Sequence, residues 1–366
     1  MVSRPARMLW LDLIRVIAAQ LIVLHHLAFY GPIAERIGRD MPGLIEWLSD
    51  YARVSVQVFL VISGFLAARA LHRYRALDAG GVWSAIVRRY VRLFIPFFFA
   101  LLVASLASIP ARLWIGEGDW ISAKPDSLSI FAHVTGLFDY LAIEALTVGA
   151  WYVTIDFQLH LLLLLSLWGG QRLTRTEAGA WRLWWAFVLG LALVSFFGLS
   201  RNSQWDVTPF YFFGSFALGL AAERLSRLKS DVSAFERGVA LAILGAASLS
   251  FATDPAVRPA VALVSAVVIA ALARGLGAPL QPFMEGLPGG AKMSRVLAAS
   301  GRSAYSLFLI HFPLAILLNA IFGYLFGDSL HAAAVLAVLA WLGAMPFAWW
   351  MYRWVERPVV ERVGPA

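Results

Sequence analysis

Leu9 to Tyr30 reads LWLDLIRVIAAQLIVLHHLAFY, an apolar stretch broken by Asp12, Arg15, Gln20, His25 and His26. As helix it reaches roughly 33 Å, enough to cross a hydrocarbon layer of about 30 Å. It is too long for the apolar region of a secretory signal, and no small-residue cleavage pattern follows it. It therefore reads as a first membrane helix, preceded by Arg4 and Arg7. Arg15 and His26 lie about 16 Å apart along it and within roughly 20° in rotation, so they share one face. Asp12, one turn before Arg15, can neutralise it. His25 points roughly 80–100° away. Ionisable groups at membrane depth are costly and are kept for functional or paired structural roles.

The apolar pattern recurs along all 366 residues. The chain is 60% hydrophobic and only 14% charged, with a mean hydropathy of +0.74, against about a quarter charged in soluble domains. The expectation is an all-α polytopic membrane protein of about ten transmembrane helices, at about 9–30, 54–71, 90–110, 149–168, 183–200, 207–223, 238–253, 259–274, 301–323 and 331–352. A barrel would show short alternating segments instead of continuous runs such as Val188 to Leu199. The stretch 128–148 is apolar but holds Asp139 and Glu144, and is read as interfacial or re-entrant. With the N-terminus inside, only Arg36, Arg39, Arg53, Arg112, Lys124, Arg201 and Arg258 fall on outer segments. The remaining basic residues, Arg15 apart, fall on inner ones, so both termini are expected in the cytoplasm. The net charge of +8 is spread over these connections rather than along one stripe, which argues against nucleic-acid binding. There is no cysteine, hence no thiolate nucleophile and no sulfur metal site.

The polar residues within the expected helices form a short set. Arg15 can hold a phosphate or donor group by a charge-assisted fork. His26 can take a proton from a hydroxyl or accept an acyl group itself. The structural alternative is that Asp12 and Arg15 anchor the helix while His26 bonds a neighbour. Ser63 and Gly64 favour close helix packing, and Gln57 needs a partner. Arg88, Arg89 and Arg92 open the third helix as headgroup anchors or phosphate ligands, and Pro96 can open that helix. Asp156 and His160 share a face, and Asp156 can fix the tautomer of His160 or of His26. His311, with Tyr305 on the same helix, is a second candidate polar centre, contacting donor or acceptor or making a structural hydrogen bond. Glu356 and Arg357 are placed at the inner mouth, with Pro358 ending the last helix. Of the two long outer segments, 31–53 and 111–148, the second is a candidate lid or acceptor-binding surface, or equally a passive cap over the bundle. There is no HExxH, G-x-S-x-G, Rossmann or P-loop pattern, so no metal site is expected.

These residues sit in blocks that resemble the acyltransferase 3 family of membrane-bound acyltransferases. Arg15 through His26 resembles the family's Arg, ten residues, His motif. Val58 to Leu66 (VFLVISGFL) is similar to its "FFVLSGFL" block, and Arg88, Arg89, Arg92 and Pro96 to its basic start of the third helix. Ile155 to His160 resembles "VExQFY", with Asp156 for Glu and His160 for Tyr. Ser303 to His311 matches "SYSLYLxH", and Glu356 to Pro358 matches the terminal "ERP". Leu13 stands for a common Gly and Gln57 for a common Asp. The blocks occur in order over nearly the whole chain.

The resemblance implies a single transmembrane domain over 1–366, core about 9–352, without the fused esterase-like domain of some members. It implies O-acylation of a sugar, polysaccharide or glycoside hydroxyl, with acyl-CoA, usually acetyl-CoA, as donor and no resident cofactor. It implies Arg15 and His26 as the leading functional pair. Taken with the residues read above, the expected catalytic set is His26, Arg15 and Asp156, and the expected donor-binding set is Arg15, Arg88, Arg89, Arg92, His311 and Tyr305. The implied location is the bacterial cytoplasmic membrane, among lipids and possible envelope-glycan assembly partners. The rival reading is a transporter or flippase of a glycan or lipid-linked precursor, since broken helices with buried polar groups suit that role too.

Overall fold

A computed structural model describes residues 8–74, 78–227 and 232–364. Arg4, Arg7, Arg75 and Lys229, counted above among the inner basic residues, lie outside them. Helices α1 (Leu9–Phe29), α2 (Pro32–Asp40), α3 (Pro42–Asp50), α4 (Val56–Ala70) and α5 (Ala79–Ile115) form the first part of the bundle. A short α6 (Ser127–Thr135) leads to α7 (Ala150–Leu173), α8 (Glu177–Phe197), α9 (Pro209–Ser226), α10 (Ala234–Thr253) and α11 (Val257–Ala271). Two short helices, α12 (Leu280–Gly286) and α13 (Gly290–Arg302), precede α14 (Ala304–Leu325), α15 (Leu330–Met351) and α16 (Arg357–Val363).

Among the described residues, nine helical runs are long and apolar enough to cross a membrane. The helix at 209–226 is not among them, because Glu223 and Arg224 lower its hydropathy. It nevertheless runs back along α8 from end to end. Ser195 Oγ bonds Tyr211 O (3.2 Å) and Gly214 N (3.0 Å) near one end, and the Arg224 guanidinium lies over Trp185 at the other. Arg15 of α1 and Tyr352, Glu356 and Arg357, which follow α15, line one cavity at one end of the bundle. That end is called proximal below, and the other distal.

The core is built on glycine contacts that admit no side chain. A Cβ at Gly64 would lie 2.0 Å from Phe216 O, and one at Gly219 would lie 2.0 Å from Val61 O, so α4 and α9 pack backbone to backbone. Small residues permit this approach where no hydrophobic force pulls helices together in lipid. Around the crossing lie Leu60, Phe65, Phe213 and Phe216, all fully buried.

The structure departs from expectation at several points. The third helix begins at Ala79, capped by Asp78, and runs unbroken through Pro96 and Pro110. The tenth helix does not end at Pro358: a π-helical turn over Tyr352–Glu356 leads into α16, whose first turn holds the proline. Proline is tolerated there because its missing N–H is unpaired in any helix start. The stretch 128–148 is one short helix followed by turns. Helices α2, α3, α12 and α13 lie in segments expected as connections.

Candidate active site

One helix carries the two leading residues to two different cavities. The proximal cavity, of about 460 Å³, is lined by Arg15, by Arg89 and Arg92 of α5, and by Asp156 of α7. Arg302, Tyr305, Glu356, Arg357 and Glu361 also line it, with Ser63, Tyr152 and Tyr352. Asp156 is buried, ion-paired with Arg89 and bonded by the Ser63 hydroxyl. A buried carboxylate needs such partners. Ser63, read as a packing residue, is thus also a donor to the α7 carboxylate. Arg15 sits 4.0 Å from Asp12, Tyr305 Oη donates to Leu93 O (2.8 Å), and Ser306 Oγ donates to Glu356 (2.6 Å).

The distal cavity, of about 510 Å³, is lined by His25 and His26 of α1, Gln57 of α4, Trp151 of α7 and Phe212 of α9. Asp119, Asp139, Glu144 and Asp206 add carboxylates from the connecting segments, and Arg53 and Arg258 add cations. The 136–149 segment is pinned by His133: its Nδ1–H donates to Ser129 O (2.7 Å) and its Nε2 accepts the Leu146 N–H (3.0 Å). Burial lowers the His133 pKa, in keeping with a neutral ring. Gln158, bonded to Gly136 O (3.3 Å) and by Tyr140 Oη (3.2 Å), ties the same segment to α7. Burial, with Asp206 nearby, pushes the Asp139 carboxyl up to about 6. Ser215 Oγ donates to Gln57 Oε1 (2.6 Å), and the Trp151 and Phe212 rings stack at 5.4 Å.

His26 Nδ1 lies 2.7 Å from His311 Nε2, both buried. His311 Nδ1 lies 3.0 Å from Leu307 O. A carbonyl only accepts, so His311 Nδ1 carries its proton, and in the neutral ring Nε2 is bare. That nitrogen then accepts the Nδ1–H of His26, which leaves His26 Nε2 as the unprotonated atom. A helix 285 residues away in sequence thereby selects the tautomer in which His26 can act as a base.

The structure brings Arg15, Arg89, Arg92, Tyr305 and Asp156 together in the proximal cavity and His26 to the distal one. It does not set Asp156 against His26; that orienting position belongs to His311. His311 and Arg88 are not in the lining of the proximal cavity. His160 bonds Asp156 through the backbone oxygen (2.8 Å), with 3.7 Å to the carboxylate. Phe308, which lines both cavities, was not singled out from sequence, since a phenylalanine in an apolar helix carries no local signal. Among the described residues no group of three or more His, Asp or Glu is placed to hold a metal.

No curated protein and no solved structure matches the chain. A family model described as an acyltransferase domain matches residues 8–353, which takes in α1 to α15 and with them both histidines and the five residues gathered in the proximal cavity. The chain belongs to that family, the acyltransferase 3 family of membrane-bound acyltransferases.

Proposed function

We propose that the protein transfers an acyl group, acetyl in the simplest case, from acyl-CoA on the cytoplasmic side to a hydroxyl of a sugar, polysaccharide or glycoside on the outer side of a bacterial cytoplasmic membrane. The observation that carries the reading is that α1 delivers Arg15 to a basic cavity and His26 to a carboxylate-lined one, with one residue, Phe308, in the lining of both. The proximal end is taken as cytoplasmic because the arginines of its connections, among them Arg172, Arg175, Arg182 and Arg237, follow the positive-inside rule.

In this reading the guanidinium groups of Arg15, Arg89 and Arg92 bind the donor's phosphates. The distal carboxylates and Gln57 accept and donate hydrogen bonds to a polyhydroxylated acceptor, with Trp151 and Phe212 as apolar platforms. His26 Nε2 takes the hydroxyl proton as the oxygen attacks the thioester carbonyl carbon. The Nδ1–H bond to His311 steadies the imidazolium. The C–S bond breaks, the thiolate leaves into the proximal cavity, and the proton returns to it from His26. Purified protein given acetyl-CoA and membrane glycans tests this, with acylated product read by mass spectrometry. His26→Ala should lower transfer on the order of 1,000-fold. Arg15→Ala should raise the donor KM about tenfold, as loss of one charge-assisted contact does. Near-normal activity in both variants would overturn the reading.

A further inference from the structure

Phe308 is the residue common to the linings of the two cavities. It is buried on α14, one turn before His311, and its ring centroid lies 6.4 Å from the His311 ring. On the proximal side Tyr152 meets it edge to face at 5.3 Å. Against its edge stands Gly149, the cap of α7, where a Cβ would come within 2.8 Å of Phe308 Cε1. The ring therefore occupies the place that any side chain at 149 would take. Phe308 thus forms part of the boundary between a basic chamber and a polar, carboxylate-lined one. Side-chain rotation can open such a boundary without moving a helix.

The polar distal chamber is one that water fills when no acceptor is bound. A thioester held in the proximal chamber would then face two nucleophiles, water and the acceptor hydroxyl. Both break the same C–S bond and hand a proton to the same base. With water, the oxygen attacks the carbonyl carbon, His26 Nε2 takes the proton, and the thiolate leaves and recovers it, giving a carboxylic acid and a thiol. With an alcohol the products are an ester and the thiol. His26 cannot discriminate between them. We propose, on the basis of the acyl-transfer reading above, that Phe308 is the residue that sets transfer against hydrolysis. Its ring screens the donor thioester from the water of the distal chamber and gives way to an acyl group moving toward a bound acceptor.

The test uses the full chain in lipid nanodiscs with acetyl-CoA alone, thiol release being followed without acceptor while retained radiolabelled acetyl-CoA reports donor binding. Phe308→Ala should release thiol about tenfold faster than wild type, since excluding water is what suppresses this side reaction. Phe308→Leu, which keeps an apolar branched side chain and spares the fold, should give a smaller rise in the same direction. Adding His26→Ala to Phe308→Ala should return release to the wild-type level. Retained acetyl-CoA with unchanged release in both Phe308 variants overturns the screen while leaving the transfer reading intact. Failure of wild type to retain acetyl-CoA overturns the donor assignment, and the screen with it.

Discussion

The two cavities are nearly equal in size and opposite in character. The proximal one sets Arg15, Arg89, Arg92, Arg302 and Arg357 against Asp156, Glu356 and Glu361. The distal one sets Asp119, Asp139, Glu144 and Asp206 against Arg53 and Arg258. In the proposed reaction a basic chamber attracts an anionic donor and an acidic chamber repels it, so the charge pattern favours donor binding at the proximal end. The construction differs as well. Of the charged proximal residues, Arg15, Arg89, Arg92 and Asp156 sit on the long helices α1, α5 and α7, Arg302, Arg357 and Glu361 on α13 and α16, and Glu356 on the π-helical turn. The distal carboxylates come instead from connecting segments, the one with Asp139 and Glu144 being pinned by His133 and Gln158. In the proposed reading, helices hold the donor end and connecting segments cover the acceptor end.

The sharpest way to break this contrast is at Asp156. If the proximal chamber is held by paired charges, Asp156→Ala strands Arg89 and removes the acceptor of the Ser63 hydroxyl. The expected loss is about 3 kcal/mol of stability, at the low end for a broken buried pair because Arg89 still faces the cavity. Unfolding of the detergent-solubilised protein measures it. Asp156→Asn keeps a hydrogen-bonding group for Ser63 and should fall between wild type and the alanine variant. Equal stability of all three would remove Asp156 from the architecture of the donor end.

At the distal end the corresponding residue is His311, which acts through hydrogen bonding rather than charge. His311→Ala frees His26 to adopt either tautomer, and kcat should fall on the order of 100-fold with the donor KM unchanged. His311→Gln restores an acceptor for the Nδ1–H of His26 and should recover part of the loss. A structural role alone would show as lost stability without that recovery.

Much of this contrast is legible in the sequence, and the remainder has an identifiable physical reason. The face shared by Arg15 and His26 follows from helical rotation, and the structure holds both on one helix. Helical rise also separates them by three turns, yet nothing local says that a wall lies between. The helix at 209–226 is found from its apolar run, but its tight crossing with α4 depends on Gly64 and Gly219 meeting backbone oxygens far away in sequence. The contact of His26 with His311 is likewise non-local. Residue spacing on α7 places His160 beside Asp156, as the structure has it at 3.7 Å from the carboxylate, but the ion pair with Arg89 of α5 depends on how two helices pack. The segment 136–149 has no period to read: Gly136 at φ 68° starts it and Ala142 at φ 53° turns it, and its acids acquire meaning only when laid over α1.

The finest distinction between the chambers rests on Asp139. Burial and the nearby Asp206 raise its carboxyl to about 6, above the ordinary 3.8. The fold thus favours the protonated form, and whatever stability that lends is fully present below about 4 and lost as pH rises through 6. Ionisation has the opposite effect on an acceptor, because a carboxylate accepts hydroxyl hydrogen bonds more strongly than a neutral acid. The acceptor KM should therefore fall about fivefold as pH rises through 6, the difference between a neutral and a charged hydrogen bond. Asp139→Asn should lose that limb, keep the higher KM throughout and, at neutral pH, unfold no more easily than wild type. A limb that survives in Asp139→Asn would assign the titration to another group and leave the acidity of the distal chamber to Asp119, Glu144 and Asp206.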